Sequence, residues 1–577
     1  MRLSPVKPRF WFQALLGAAL LSGAAPSFAQ VSDPAAPLPD ATPAEPITAP
    51  VKPPVSIQVG TLAAIDPSAI GTLDRNNGGI GPELWAGSDK AMIQALLPFL
   101  PANAASPAMN RLANRILLSR APAAEGPPAG GDSLLALKLK RLFAAGAFEP
   151  ITNLAGQVTN PERDPAAARV IADVFLLTDR LGDASALADK LARTDSDPFW
   201  LKVQELAAQA EGDAARIDLT YGLAREAAGE DKAYLALLDL MRKQGKGKVE
   251  KIKEPSLLHL VMMRMLKLPL PKDLVQNPDP ALIKFLLAGS ELDGATRAGL
   301  IERLGQMGLA EPRQLAELYG GMTLKEDERA RPVDAALKAQ GMRVRAILFQ
   351  GARTSLTTDG QAAALAASYS LNGDPALGAL LAEANRGLTV SLPPAPILLP
   401  YAGALGRIAA LGGDVNAAIH WLDGFRPLAR PGSNEATDLA GLAVIIAIAD
   451  PSGARNLNGA DLDTMIARAN LAPPDQRHAR IAILGAVLEG LGLTVPPPGN
   501  PPISPTVDYA TLRAMELAAK AGHVGETAIL ALSLIGTQGP SLAEPKALLA
   551  AITALVQVHL GTDARRIALE ALAGHGL

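Results

Sequence analysis

A glycine-aspartate pair recurs between amphipathic stretches of this chain, at Gly182-Asp183, Gly212-Asp213, Gly373-Asp374 and Gly413-Asp414, with looser versions at Gly522 to Glu526 and Gly561 to Asp563. The pair has a mechanism: glycine takes the left-handed conformation that ends one helix, and aspartate caps the free N–H groups of the next. Around the first pair, in PAAARVIADVFLLTDRLGDASALADKLARTDSDP, Val170, Val174, Leu177 and Leu181 share one helical stripe and Leu187 and Leu191 the next. Two such helices of about three turns cannot bury their apolar stripes alone, so neighbouring pairs must stack. Composition agrees. The 577 residues are 49% hydrophobic but only 4% aromatic, with alanine and leucine supplying most of the apolar content, which favours helices over sheet. The expected fold is all-α: a right-handed α/α superhelical solenoid of irregular helix-turn-helix repeats with a short irregular N-terminal cap segment.

The chain begins MRLSPVKPRFWFQALLGAALLSGAAPSFAQ, with Arg2, Lys7 and Arg9 ahead of an apolar run and Ser27-Phe28-Ala29 at small-x-small spacing. That pattern reads as a secretory signal peptide over residues 1–29, cleaved before Gln30. The apolar run is short for a span of about 20 residues, so no integral membrane span is expected after cleavage. No cysteine is present, which excludes disulfides, thiolate metal sites and a cysteine nucleophile. A periplasmic location follows as the expectation.

Residues 30–55 are rich in proline and alanine and should form an extended tether. Next comes an irregular segment, 56–90, with short β-like runs around Ile57 and Ile70 and the stretch GTLDRNNGGIGPELWAGSDK. A solenoid needs its terminal apolar face covered, and Leu84 and Trp85 could do this by lying over the first helix pair. They could instead dock a partner, since tryptophan is enriched at binding hot spots. Asp89 is placed to start the following helix. The helical array then divides into 91–390, a block at 391–493, a proline-rich linker at 494–506 and C-terminal repeats at 507–577.

The units resemble tetratricopeptide-type α/α-solenoid repeats. The resemblance rests on LPYAGALGRIAALGGDVNAAIHWLDGF, where Tyr401, Leu405, Gly413, Ala418 and Phe425 stand in consensus-like places, and on the Arg169 to Pro198 unit with its helix-terminating proline. It covers about half of the chain, and the spacing between successive turns is irregular. It implies a protein-binding scaffold.

Catalytic signatures are missing. None of the six histidines stands four residues from another, HExxH and GxSxG are absent, and GKGK at Gly245 to Lys248 lacks the rest of a phosphate-binding loop. No catalytic residue, cofactor or metal site is expected. His559 extends the Leu548, Ile552, Leu555 stripe as a packed or interface histidine. The net charge of −3 gives no long-range positive field for nucleic acid. Possible partner-binding positions are Leu84 and Trp85, the adjacent His420 and Trp421, and the cations Lys246 and Lys248 in the run RKQGKGKVEKIK. The functional expectation is a non-enzymatic scaffold or adaptor for protein partners in an envelope-associated assembly. The alternative is a cell-wall glycan-binding or glycan-modifying protein with its site around His420 and Trp421.

Overall fold

The three Gly-Asp turns at 212, 373 and 413 are built as the sequence predicts. Gly212, Gly373 and Gly413 have φ of 68°, 73° and 84°, and the carboxylates of Asp213, Asp374 and Asp414 accept the backbone N–H of Arg216, Leu377 and Ala417 at 3.1, 2.9 and 2.9 Å. At two other turns the register differs. Gly182 and Gly561 lie inside the first turn of helices Leu181–Leu191 and Gly561–Gly574, and the left-handed residues are Asp179 and His559, with φ of 58° and 63°. His559 is therefore an exposed turn residue, not the next member of the Leu548, Ile552, Leu555 stripe.

The computed structural model describes residues 66–247, 252–276, 278–452, 457–493 and 507–577. The leader at 1–29, the tether at 30–55, Ile57, Lys248 and the linker at 494–506 lie outside the described residues. Among the described residues the chain is an all-α solenoid of 28 α-helices joined by turns and short 3-10 segments, with no strand. Near Ile70, where a β-like run is expected, there is a 3-10 turn at Pro67–Ala69 and a single isolated bridge between Leu73 and Ser119. No described helix is long and apolar enough to cross a membrane.

Successive helices stack in order, as Pro165–Leu177, Leu181–Leu191, Phe199–Glu211 and Ala214–Ala228 do, and as Ala402–Leu411 does with Val415–Phe425 and Asn434–Ala449. The helix Asn434–Ala449 begins with polar residues but from Leu439 onward is apolar all round and largely buried, as a central helix must be. The last helix, Gly561–Gly574, closes the array: it packs against Pro107–Leu118, Pro375–Ser391 and Asn434–Ala449 as well as its sequence neighbour Pro545–Gln557. Ion pairs and hydrogen bonds join the same surfaces. Arg115 meets Asp563 at 2.5 Å, and the buried Glu570 accepts from Ser106 Oγ and, at 2.8 Å, from the Ala108 N–H.

The irregular N-terminal segment is part of this closure. Asp89 caps helix Lys90–Leu96 through the N–H groups of Ala91 and Met92, and that helix packs on Val524–Ile535. Leu84 and Trp85 are buried, at 0% and 4% exposure. They lie over Gly525 of the helix Val524–Ile535, not over the first helix pair: the acceptor surface comes from the far end of the sequence.

Lys138 anchors the start of this segment. It is 1% exposed, and its Nζ donates to the carbonyls of Ser68 and Ile70 at 3.4 and 2.9 Å. Burial pushes its ammonium down from 10.5 to about 8. Between those two values the unfolded chain binds the proton more tightly than the folded one, so this residue's contribution makes stability rise with pH across that window. Urea melts at pH 7, 8.5 and 10 should show that rise in the natural chain and its loss in Lys138→Met.

A polar groove as the candidate functional site

The helix AGALGRIAAL, Ala402–Leu411, carries one charged residue in an otherwise small and apolar run. Its glycines let it approach Asn434–Ala449 closely. A Cβ on Gly406 would stand 2.3 Å from Leu442 Cδ2, so a side chain there would require Leu442 to move. The same close approach makes a recess for Arg407. Its Nη1 lies 3.2 Å from where a Cβ on Gly403 would be, and its Nη2 lies 2.4 Å from the corresponding point on Gly441.

Arg407 is 9% exposed, its Nε has no hydrogen-bond partner, and burial pulls the guanidinium below its usual range, opposed by Tyr369. Among the described residues no carboxylate pairs with it. A guanidinium stays charged throughout the physiological range, so among the described residues this buried cation has no counter-ion.

Arg407 lines a groove of about 1110 Å³, walled by the helices Thr358–Ser370, Pro375–Ser391, Ala402–Leu411, Gly459–Asn470 and Pro474–Gly490 and by residues 573–576. Two further cations line it, Arg468 and Arg480. Arg468 pairs with Asp438, and its guanidinium is pulled down first by burial and then by the like charges of Arg407 and Arg480. Arg480 donates to Gln476 Oε1 at 3.2 Å. The other carboxylate on the wall, Asp374, is occupied as the cap of Pro375–Ser391.

Asn385 and Asn372, only 2% and 6% exposed, are also wall residues, and their amide oxygens are enclosed with no hydrogen-bond partner. Tyr369 is tied by its hydroxyl to the Leu577 carbonyl at 3.0 Å. The groove therefore presents an excess of positive charge, with two unmatched acceptors enclosed in its wall, which suits recognition of an anion, and one that also carries N–H or O–H donors could satisfy those acceptors if the amides turned outward.

The positions singled out from sequence lie elsewhere. Trp421 is 1% exposed, donates its indole N–H to the Thr389 carbonyl at 2.9 Å and stacks on Phe425 at 5.2 Å between ring centroids. His420, beside it in the chain, is exposed. The two do not share a pocket. Leu84 and Trp85 are turned into the core, and Lys246 is exposed in the turn after Lys232–Arg242. None of these five described residues lines the groove.

Arg407, Asn385 and Asn372 escaped the sequence reading. The available signal is an arginine inside a helix of glycines, alanines and aliphatics, since charged residues are almost never fully buried without a partner. Compared with protein-family models, curated proteins and solved structures, the chain matches none.

Proposed function

We propose that this chain is a non-enzymatic, exported helical-repeat scaffold of tetratricopeptide-like design that holds a protein partner in an assembly of the bacterial cell envelope. The observation that carries this reading is the groove, a large polar channel walled by successive helices of one stacked array and holding unmatched binding groups. Stacked helical repeats present such surfaces to extended partners. The leader-like start and the proline-rich stretch after it support an exported, tethered scaffold.

The test is affinity capture from crosslinked cells with the chain Gln30 to Leu577, beside an Arg407→Gln form. Recovery of one defined envelope complex by the natural chain, in repeated preparations, is the expected result. If no protein is enriched over a bead control while isolated cell-wall glycan is retained, the scaffold reading fails and the glycan-binding alternative replaces it.

A further inference from the structure

We propose that the Arg407 groove receives an acidic polypeptide segment, with Arg407 as the anchor for an Asp or Glu carboxylate and Asn385 accepting a backbone N–H from the same segment. This rests on the reading of the chain as a protein-binding scaffold and names the chemistry of its partner.

The argument starts from the missing counter-ion. A buried charge without a partner is unfavourable by itself, and here the two carboxylates on the groove wall are already engaged, Asp438 by Arg468 and Asp374 at a helix N-terminus. Among the described residues no further carboxylate lines the groove, and an acidic ligand would supply the missing negative charge. The recess is shaped for this guanidinium, because two glycines on two different helices leave the space for it. Arg468 and Arg480 extend the positive field along the wall, so an acidic ligand is drawn in along a path, not to a single point.

The unmatched amide oxygens narrow the ligand further. Asn385 Oδ1 and Asn372 Oδ1 each need a donor, which a bare oxyanion cannot supply. An acidic residue brings a carboxylate and a backbone N–H only a few atoms apart. The remaining wall includes Ala363, Ala366, Ala367 and Ala404, short aliphatic groups against which the methylene stems of such residues can pack. At about 1110 Å³ the groove is at the upper end of the size of small-molecule sites and leaves room for an extended segment.

The experiment is fluorescence anisotropy on the full chain with fluorescein-labelled hexaglutamate capped at both ends, and with hexaglutamine, fluorescein-labelled hexagalacturonate and inorganic phosphate as comparisons. Hexaglutamate should bind at least tenfold more tightly than hexaglutamine, and phosphate should displace it only at far higher concentration. Arg407→Gln should weaken binding tenfold or more. Gly441→Ala, which leaves every charge in place but fills the recess, should weaken it as well. Arg430→Gln, an exposed cation outside the groove, should not. Arg407→Gln should melt no lower than the natural chain, since it removes a buried unpaired charge, so lost binding cannot be put down to unfolding.

Equal binding by Arg407→Gln, or no preference for hexaglutamate over hexaglutamine, overturns the proposal. Preference for hexagalacturonate overturns it in favour of a glycan, and displacement by phosphate at matched concentration reduces the groove to a simple oxyanion site. If Arg407→Gln captures the same envelope complex as the natural chain, this inference fails while the scaffold reading stands. If no complex is captured at all, it is the scaffold reading that fails.

Discussion

Trp85→Ala is expected to lower the free energy of unfolding by about 3–5 kcal/mol, the range for truncating a large buried aromatic residue. The indole is 4% exposed and lies so close over Gly525 that a Cβ there would stand 2.4 Å from its ring and 2.6 Å from the Leu84 carbonyl oxygen. Gly525→Ala should therefore destabilise as well, because a backbone carbonyl cannot swing away as a flexible side chain can. The two changes share one contact and should not add: removing the indole relieves part of the clash, so the double variant should lose less than the sum. Denaturant melts of the four forms test this. A Trp85→Ala chain as stable as the natural one would mean that the indole is not packed in the core, and would return this residue to the surface as a docking element.

The second large effect is expected at Glu570. Glu570→Ala should cost about 3–5 kcal/mol, as breaking a buried charged network does, because it leaves Ser106 Oγ and the Ala108 N–H without their acceptor and removes one of the two carboxylates near Arg111, which keeps Glu383 at 2.5 Å. The residue also carries a pH signature. Burial pushes its carboxyl up from 4.5 to about 7, against the opposing pull of Ser106, Arg111 and the Ala108 N–H.

The folded state therefore holds this proton more tightly than the unfolded chain. The contribution is most favourable below about pH 4.5 and declines through pH 7, by about 3 kcal/mol at 1.36 kcal/mol for each pH unit between the two values. Glu570→Gln has no proton to lose. Melts at pH 5, 6, 7 and 8 should show the natural chain losing stability relative to Glu570→Gln as pH rises. A constant difference between the two would mean that the carboxyl titrates at its ordinary value.

The helical class and much of its punctuation were legible in the sequence because they are local. A glycine followed by aspartate specifies a helix end and a helix start within four residues, and the turns at Gly212, Gly373 and Gly413 follow that chemistry. Where local logic is weaker the reading slips: Asp179 and His559 take the left-handed position at turns where glycines stand nearby. The charge alternation of LKEDERARP reads as a solvent face, yet Glu328 is buried and pairs with Arg343 at 2.5 Å, a residue beyond the end of that motif.

The groove was not legible because nothing local makes it. Arg407, Asn385 and Gly441 come from three helices, and only their packing turns an arginine in an alanine-rich run into an unmatched cation. The sequence did mark Trp85 as unusual. It could not supply Gly525, some 440 residues further on.

An open array of repeats can begin folding at any point and grow from there. This chain is denied that freedom by its last helix, which is wedged between elements drawn from the beginning and the middle of the sequence. During synthesis, the apolar surfaces of Leu84, Trp85 and Pro107–Leu118 must wait for partners made hundreds of residues later, exposed in the interval to aggregation and to chaperones. A truncation before Gly561 thus does more than shorten the molecule at one end. It takes from Pro107–Leu118, near the other end of the described chain, one of the helices it packs on.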